Sequence, residues 1–242
     1  MRLEGQYKLG YYPTPESEVL RAIAHLSAPG TVPFRLLDPC AGEGDALYTI
    51  FKQFNLRNRP EVYAVELSPE RHQKIKGHSI YVNGHGYISS WSFNAILADF
   101  QNVVVGKETI SHLWLNPPYD WSDDERAEDT KKKARSEYAF LKWSLPSLQH
   151  GGVLSYVVPE KLLGYAYVRN LLADNFAQLQ AWRFAPENYE AFKQIVITGT
   201  RRPHSISDDS RAWLEQMHKD GVPDYDPATA ISRTLPPRSQ PS

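Results

Sequence analysis

The sequence predicts an α/β protein built on a doubly wound, mostly parallel sheet of about seven strands with helices on both faces. Short apolar runs alternate along the chain with stretches of helical spacing, which is typical of strand–helix–strand units joined by right-handed crossovers. A length of 242 residues, of which 41% are hydrophobic and 23% charged, suits one globular domain of this class. Since ligands bind such sheets at the carboxyl ends of the strands, the residues that follow each strand are the first candidates for a site.

The amino-terminal half carries clear helix signals between its strands. Residues 15–27 place Val19 and Ile23 at helical spacing. Ser68 is a suitable N-cap for a later helix, with Pro69 at the first helical position. Strands are predicted at 34–38, 61–67, 94–100 and 111–115, helices at 15–27, 45–54 and 68–76, and an inserted hairpin within 77–93.

The carboxy-terminal half continues the alternation and then changes character. After about residue 203 the sequence becomes polar and bears several prolines. We therefore expect a folded domain over 1–203, followed by a flexible polar tail over 204–242 with a short helix near 210–219. In this half, strands are predicted at 151–159, 177–184 and 192–202, and helices at 134–148 and 161–174.

Composition excludes several classes of protein. No apolar run reaches the roughly 18 residues that a membrane span needs, and the first residues lack the apolar core of a signal peptide, so we expect a cytoplasmic protein. The single cysteine, Cys40, allows no internal disulfide and fits a reducing compartment. No Cys–His spacing or HExxH pattern indicates a metal site. The net charge of −1 means that any nucleic-acid binding must come from a local patch, a partner or further sequence.

Three predicted strands end in acidic or glycine-containing turns. The first leads into LDPCAGEGDAL, where Gly42 and Gly44 after Asp38 let the backbone turn tightly and approach a ligand closely. No lysine stands where nucleotide phosphates need one. Glu66 ends the second strand, where a carboxylate accepts from a ribose diol, and Asp99 ends the third, where it can accept from an exocyclic amine. These features describe a site for a nucleoside without phosphates, which S-adenosylmethionine fits better than a dinucleotide.

The stretch HLWLNPPYDW, residues 112–121, joins an apolar strand to a rigid turn in which Pro117 and Pro118 lock the backbone. An aromatic amine is a poor nucleophile because its lone pair is delocalised into the ring. The Asn116 side-chain oxygen and the Pro117 carbonyl could each accept a hydrogen bond from one of the two N–H groups of the amine, which would localise that lone pair. Tyr119 would stack on the base. The motif therefore predicts methylation of an amine. Its other interpretation is a turn that only caps the strand.

These motifs, in this order, resemble those of the class I S-adenosylmethionine-dependent methyltransferases, and among them the N6-adenine DNA methyltransferases. DPCAGEG is similar to their cofactor motif and NPPY to their catalytic motif, and GYYPTP resembles the segment that closes over the methionine end of the cofactor. The resemblance runs from about residue 10 to 202. It implies a Rossmann-like fold, S-adenosylmethionine as cofactor, and methyl transfer to the N6 amine of adenine in DNA, with restriction–modification as a setting.

The resemblance also implies roles for individual residues, which fall into a catalytic, a cofactor-binding and a substrate-binding group. The catalytic group comprises Asn116, Pro117, Pro118 and Tyr119. The cofactor group comprises Tyr12 and Thr14 at the methionine carboxylate, Asp38, Ala41, Gly42 and Gly44 along the methionine part, Glu66 at the ribose, Asp99 at the adenine amine, and Asn116. The substrate group comprises Tyr119, with Phe192 as a second ring against the target base, which an ordinary core strand residue would match equally well.

Two basic clusters allow two interpretations each. They either contact nucleic-acid phosphates or are solvated faces of helices and sheet edges. The first follows the catalytic motif and comprises Lys131, Lys132, Lys133 and Arg135; the second comprises Arg201, Arg202 and His204.

Target recognition departs from the pattern of the family that the chain resembles. N6-adenine DNA methyltransferases commonly carry a sizeable recognition domain, and nothing after residue 203 is long enough to be one. DNA and a separate recognition subunit or domain are the expected partners. Two other functions stay open: methylation of an RNA base or of a protein glutamine amide, since NPPY occurs there too, and a catalytically inactive subunit that binds DNA or a partner.

Overall fold

The structure is a computed structural model that describes residues 12–30, 32–54, 60–77, 93–119, 135–203 and 209–239; for residues 76, 77, 191 and 192 it describes the backbone alone. The strands are β1 (Leu26–Ser27), β2 (Arg35–Asp38), β3 (Glu61–Glu66), β4 (Asn94–Leu97), β5 (Ile110–Leu115), β6 (Leu148–Pro159), β7 (Phe176–Arg183), β8 (Gln194–Arg201) and β9 (Arg233–Thr234). The helices are α1 (Glu16–Ile23), α2 (Asp45–Gln53), α3 (Pro69–Gly77), α4 (Ser136–Ser144), α5 (Ala166–Asn175), α6 (Pro186–Phe192) and α7 (Ser210–Asp220).

The strands confirm the predicted doubly wound sheet. Within the described residues, seven of them form one sheet in the order β4-β3-β2-β5-β6-β8-β7, and β8 alone runs antiparallel to its neighbours. The chain moves outward from β2 to β4 and then returns to β5 on the other side of β2. The direction of winding therefore reverses between β2 and β5, and a crevice opens outside their carboxyl ends.

Alternation along the strands buries the two faces of the sheet under different helices. Leu36 on β2 and Trp114 on β5 face the layer of α1 and α2, whereas Leu37 and Leu113 face the layer of α4, α5 and α7. All four side chains are buried because both faces of a largely parallel sheet are covered. A sheet held from both sides gives the turns at its carboxyl edge a rigid base.

Several element boundaries differ from the sequence prediction. The predicted helix 15–27 ends at Ile23 and its last residues form β1, the predicted strand 94–100 ends at Leu97, and the predicted helix 134–148 spans Ser136–Ser144. The last strand begins at Gln194 and not at 192, because a short helix, α6, precedes it and ends at Phe192. Lys193 links the two elements in a left-handed conformation with φ of 49°. β6 begins at Leu148 and not at 151, because Gly151 and Gly152 lie inside the strand at an irregularity in its pairing with β5.

Residues 209–239 differ from the flexible tail that the sequence predicts. α7 packs its buried Leu214 into the core on one face of the sheet, and β9 pairs in parallel with β1. Leu235 is fully buried on the other face, and the Arg238 backbone N–H donates to the Pro33 carbonyl over 2.9 Å. A few buried apolar residues hold this segment on the domain. The sequence does not single them out, because most of the residues around them are polar. Among the described helices, none has the length and apolar character to cross a bilayer.

Candidate active site

A cleft lies at the carboxyl edge of the sheet, where the direction of winding reverses. Its volume, including the mouth that opens to solvent, is about 890 Å³. The turns after β2, β3, β4 and β5 all contribute to its walls. Of the residues that the sequence singles out, Tyr12, Thr14, Asp38, Ala41, Glu66, Asp99, Asn116 and Pro118 line it.

The glycine corner after β2 is a tight backbone turn fastened to the end of β3. Gly42 and Gly44 have φ of 58° and 87°, in the left-handed region where a side chain is disfavoured, and Gly44 is the N-cap of α2. The Ala41 N–H donates to the Val65 carbonyl over 2.9 Å, and the Gly42 N–H donates to Glu66 Oε2 over 2.8 Å. Neither glycine lines the cleft; both act by shaping the turn that brings Ala41 to it.

Asp38 places a buried carboxyl group in the wall of the cleft. Its side chain is 2% exposed, and burial raises its pKa to about 7, although Oδ1 accepts a 2.9 Å hydrogen bond from the Cys40 N–H. Burial also raises the pKa of the Cys40 thiol well above its ordinary value, so this group stays a neutral donor to the Asn116 carbonyl at 3.3 Å. A cation beside Asp38 would favour its ionised form.

Glu66 is held by an arginine that sequence reasoning did not find. Glu66 Oε1 accepts from the Ser68 N–H and from Arg71 Nη2, each over 2.7 Å, while Oε2 faces the Gly42 N–H. Arg71 itself lines the cleft. Its position in the first turn of α3, directly after a strand that ends in an acid, was the available signal. A carboxylate oxygen can accept two hydrogen bonds, so Oε2 can still receive a ligand hydroxyl.

Asp99 and two aromatic rings form the far wall of the cleft. Asp99 Oδ1 accepts a 3.0 Å hydrogen bond from the Gln101 N–H and so caps the short 3-10 turn Phe100–Asn102. The ring of Phe100 stacks on that of Phe140 with 6.2 Å between centroids. Both rings line the cleft, which gives it an apolar wall beside the carboxylate.

The Asn116 amide is fixed in one orientation by the segment that precedes α1. Its Nδ2 donates to the Tyr12 carbonyl over 2.7 Å and to Thr14 Oγ1 over 3.0 Å. Its Oδ1 accepts from the Tyr119 hydroxyl over 2.7 Å. The amide can therefore offer only its oxygen to a further hydrogen-bond donor, and that oxygen still has a second lone pair.

The Tyr119 ring, whose hydroxyl is hydrogen-bonded to Asn116, stacks on the ring of Tyr12. The two rings lie 11° from parallel with centroids 5.3 Å apart, and Tyr119 is 5% exposed. Its hydroxyl accepts a hydrogen bond from Gln194 at the start of β8, and burial raises its pKa well above the ordinary value. Sequence reasoning missed Gln194, because nothing near it in the chain shows that β8 returns to this edge of the sheet. Pro117, two residues before Tyr119 in the chain, is buried.

The remaining predicted residues either lie outside the described part of the chain or have other partners. The Phe192 side chain, the run Lys131, Lys132 and Lys133, and His204 lie outside the described residues. Arg135 pairs with the buried Glu137, Nη2 to Oε1, over 2.7 Å. Arg201 and Arg202 donate to the backbone carbonyls of Leu145 and Phe176, so both hold the fold together. Across the described ranges, no three His, Cys, Asp or Glu side chains group as metal ligands.

Solved structures share this fold at low sequence identity. A protein from Listeria monocytogenes assigned as a class I S-adenosylmethionine-dependent methyltransferase has a TM-score of 0.59 and 12% identity, over 86% of this chain and 72% of that one. The M protein of the type I restriction enzyme EcoKI has a TM-score of 0.55 and 20% identity, over 81% and 46%. The methyltransferase subunit of a type I restriction–modification system from Streptococcus thermophilus has a TM-score of 0.57 and 16% identity, over 87% and 53%.

The chain spans about half the length of these two restriction–modification proteins. A comparison with curated proteins found no match. A family model described as an uncharacterised methyltransferase family (DUF6094) matches residues 1–230, which is nearly the whole sequence. The chain therefore belongs to the methyltransferase family DUF6094.

Proposed function

We propose that this chain transfers a methyl group from S-adenosylmethionine to the N6 amine of an adenine in DNA. The observation that carries this proposal is the arrangement around Asn116. Its amide is held by Tyr12 and Thr14 in the wall of the cleft, and the two prolines that follow it stiffen the backbone there. A fixed amide oxygen and a fixed carbonyl, placed before any substrate arrives, are what methylation of an aromatic amine requires.

The chemistry of the cleft fits S-adenosylmethionine. A cationic ligand end would restore the charge that burial suppresses on Asp38, whose pKa is raised to about 7. Glu66 would accept from the ribose hydroxyls and Asp99 from the adenine amine, with the rings of Phe100 and Phe140 as the apolar wall. When bound, S-adenosylmethionine supplies the methyl group from its sulfonium centre.

The Asn116 amide oxygen and the Pro117 carbonyl would activate the target amine by accepting hydrogen bonds from its two N–H groups. These contacts draw the nitrogen towards tetrahedral geometry and localise its lone pair, so they are strongest in the transition state. The Tyr119 hydroxyl uses one lone pair of Asn116 Oδ1 at 2.7 Å and leaves the second for the amine. The proton that the amine loses would remain hydrogen-bonded to this oxygen until it passes to water.

The stacked rings of Tyr12 and Tyr119 would form the slot for the target base. The rings are nearly parallel with centroids 5.3 Å apart, so their planes are too close for a base to fit between them. The rings must therefore move apart, and a base must leave its duplex to enter between them. Tyr12 then supplies the second ring, the role that the sequence suggested for Phe192.

Sequence recognition would come from a separate subunit or domain. The net charge of −1 gives no general attraction for a phosphate backbone. The two restriction–modification proteins with this fold are about twice as long as the part that this chain matches. A partner that binds DNA would supply the missing affinity, and restriction–modification is the setting that we propose.

Methyl transfer from radiolabelled S-adenosylmethionine to pools of DNA, RNA and protein tests this function. We expect label in N6-methyladenine from DNA, and a loss of roughly 100-fold or more in Asn116→Ala, the scale seen when one preorganised oxyanion-hole donor is removed from an enzyme. Asn170→Ala, an exposed change on α5, is the matched control and should keep full activity. Label in RNA or in glutamine, or transfer that Asn116→Ala leaves unchanged, would overturn the proposal.

A further inference from the structure

Two exposed tyrosines lie at the same edge of the sheet as the candidate active site. Tyr165 and Tyr167 are 38% and 36% exposed, and their ring centroids are 5.5 Å apart. They follow the short 3-10 turn Glu160–Gly164 at the carboxyl end of β6. β6 is the parallel neighbour of β5, so both tyrosines lie at the sheet edge that also carries Asn116.

Neighbouring side chains hold these rings in place. Tyr138 on α4 meets Tyr167 edge-on, with 4.8 Å between ring centroids. The Arg135 guanidinium lies 5.6 Å from the centre of the Tyr165 ring. Arg135 is itself fixed by its 2.7 Å ion pair with Glu137, whose side chain is 0% exposed. We call Arg135, Tyr138, Tyr165 and Tyr167 the aromatic platform.

The platform is connected to both the cleft and the proposed base slot. Tyr138 belongs to the platform, and Phe140, two residues further along α4, lines the cleft. Beneath them, the Tyr156 hydroxyl on β6 donates to the Glu137 carbonyl over 2.8 Å. Tyr156 pairs with Leu115 of β5, the residue directly before Asn116. A strand whose target base enters the slot would therefore bring its adjacent nucleotides to the platform.

From this geometry we propose that the aromatic platform stacks unpaired nucleotides beside the target base, so that the chain binds its nucleic acid as an opened strand. The proposal rests on the proposed function, because it assumes a base as the target. Ring faces stack on any base, but bases expose their faces only when unpaired. Stacking also suits a chain of net charge −1, since it needs few phosphate contacts.

Fluorescence anisotropy with labelled oligonucleotides of about 15 nucleotides tests the platform without requiring turnover. The probes are one sequence as single-stranded DNA, duplex DNA and single-stranded RNA, each with S-adenosylhomocysteine present. We expect single strands to bind more tightly than the duplex. Tyr165→Ala and Tyr167→Ala should each weaken single-strand binding by about 5- to 100-fold, the scale of one stacked base. Affinity should fall only shallowly with salt, in proportion to few phosphate contacts.

Three controls make this result specific. Tyr48→Ala removes a partly buried tyrosine from α2, on the opposite face of the sheet, and should leave binding unchanged. Tyr165→Phe and Tyr167→Phe keep the ring and should bind like wild type. Unaltered thermal unfolding and S-adenosylmethionine binding of the alanine variants would show that they fold.

Each outcome bears on the platform or on the function separately. Equal affinity for duplex and single strand, or alanine variants that bind like wild type, would overturn the platform even if DNA adenine is methylated. Selective loss of single-strand binding together with methyl label in RNA and not in DNA would keep the platform and overturn the proposed function. If the alanine variants lose only a protein recognition subunit and not the oligonucleotide, the surface is a protein interface and the proposal fails. Comparing the affinities for single-stranded DNA and single-stranded RNA shows whether the platform prefers deoxyribose or ribose.

Discussion

Asp38 shows how burial changes the chemistry of one side chain. An aspartate in water has a pKa of about 3.9, and burial in the cleft wall raises that of Asp38 to about 7. The unfolded chain therefore releases this proton at about pH 4, whereas the native protein retains it until about pH 7. Between these values the native state binds more protons than the unfolded state, so this group lowers the free energy of unfolding as the pH rises.

Asp38→Asn should remove that pH dependence, because asparagine carries no titratable proton. The free energy of unfolding of wild type should fall relative to the variant by up to about 4 kcal/mol between about pH 4 and 7, the equivalent of a shift from 3.8 to about 7. Urea unfolding at several pH values measures the difference. Parallel curves for the two proteins would show that Asp38 is already ionised in the native state.

The same carboxyl group should make cofactor affinity depend on pH. A cationic ligand prefers the ionised form of Asp38, so the affinity of wild type for S-adenosylmethionine should rise from about pH 6 to pH 8, through the raised pKa. Calorimetric titration at these two pH values checks this rise. Asp38→Asn should bind more weakly at the higher pH and with little pH dependence; a variant that keeps the rise would assign it to another group.

Thr14 should act through the orientation of Asn116. Thr14→Val removes one of the two acceptors of the amide N–H bonds, at 3.0 Å, while the Tyr12 carbonyl remains. We expect kcat for methyl transfer to fall by about 3- to 30-fold, the scale of one lost hydrogen bond of about 1 kcal/mol or somewhat more. Thr14→Ser keeps the hydroxyl and should restore the rate. A change confined to the KM for S-adenosylmethionine would mean that Thr14 contacts the cofactor instead.

β6 shows why element boundaries are hard to read from sequence. Two adjacent glycines suggest a turn, yet Gly151 and Gly152 lie within the strand, at the point where its pairing with β5 shifts register. A Cβ on Gly152 would lie 2.8 Å from the Gln149 carbonyl oxygen and 3.2 Å from that of Ile110. The glycine is required by the close approach of two backbones, which only the paired strands reveal.

Gly152→Ala should therefore destabilise the protein. The contacts with two backbone oxygens force a local shift, which typically costs about 1–3 kcal/mol. Thermal unfolding should show a Tm lower by several degrees. Gly164→Ala is the matched control, because its Cβ would meet only the His218 ring at 3.4 Å. If both variants unfold at the wild-type temperature, the strand adjusts freely at this position.

At the scale of the whole molecule, residues 209–239 complete the fold. Leu235 packs fully buried beside α1 and the sheet, next to the short β1–β9 pairing. Leu235→Ala should lower the free energy of unfolding by about 2–5 kcal/mol, as expected for a buried leucine. Urea denaturation measures the loss, with the exposed Ser232→Ala as the control. A variant as stable as wild type would support the flexible tail that the sequence predicts.

The sequence by itself determined the class of fold and most of the candidate site. Apolar runs alternating with helical spacing are a local pattern, and they predicted the sheet with its seven strands. The carboxylates and the NPPY motif follow strands directly, and parallel strands bring their carboxyl ends to one edge. That rule places Asp38, Glu66, Asp99 and Asn116 around one cleft without any coordinates.

Only the tertiary structure decided which hydrogen-bond and packing partners these side chains have. The Asn116 amide meets the Tyr12 carbonyl across 104 positions of the chain, and Gln194 meets Tyr119 across 75. Leu235 likewise finds its core only after the chain returns to β1. Contacts so distant in sequence leave no periodic pattern, because they depend on where separate elements come to lie and not on local spacing.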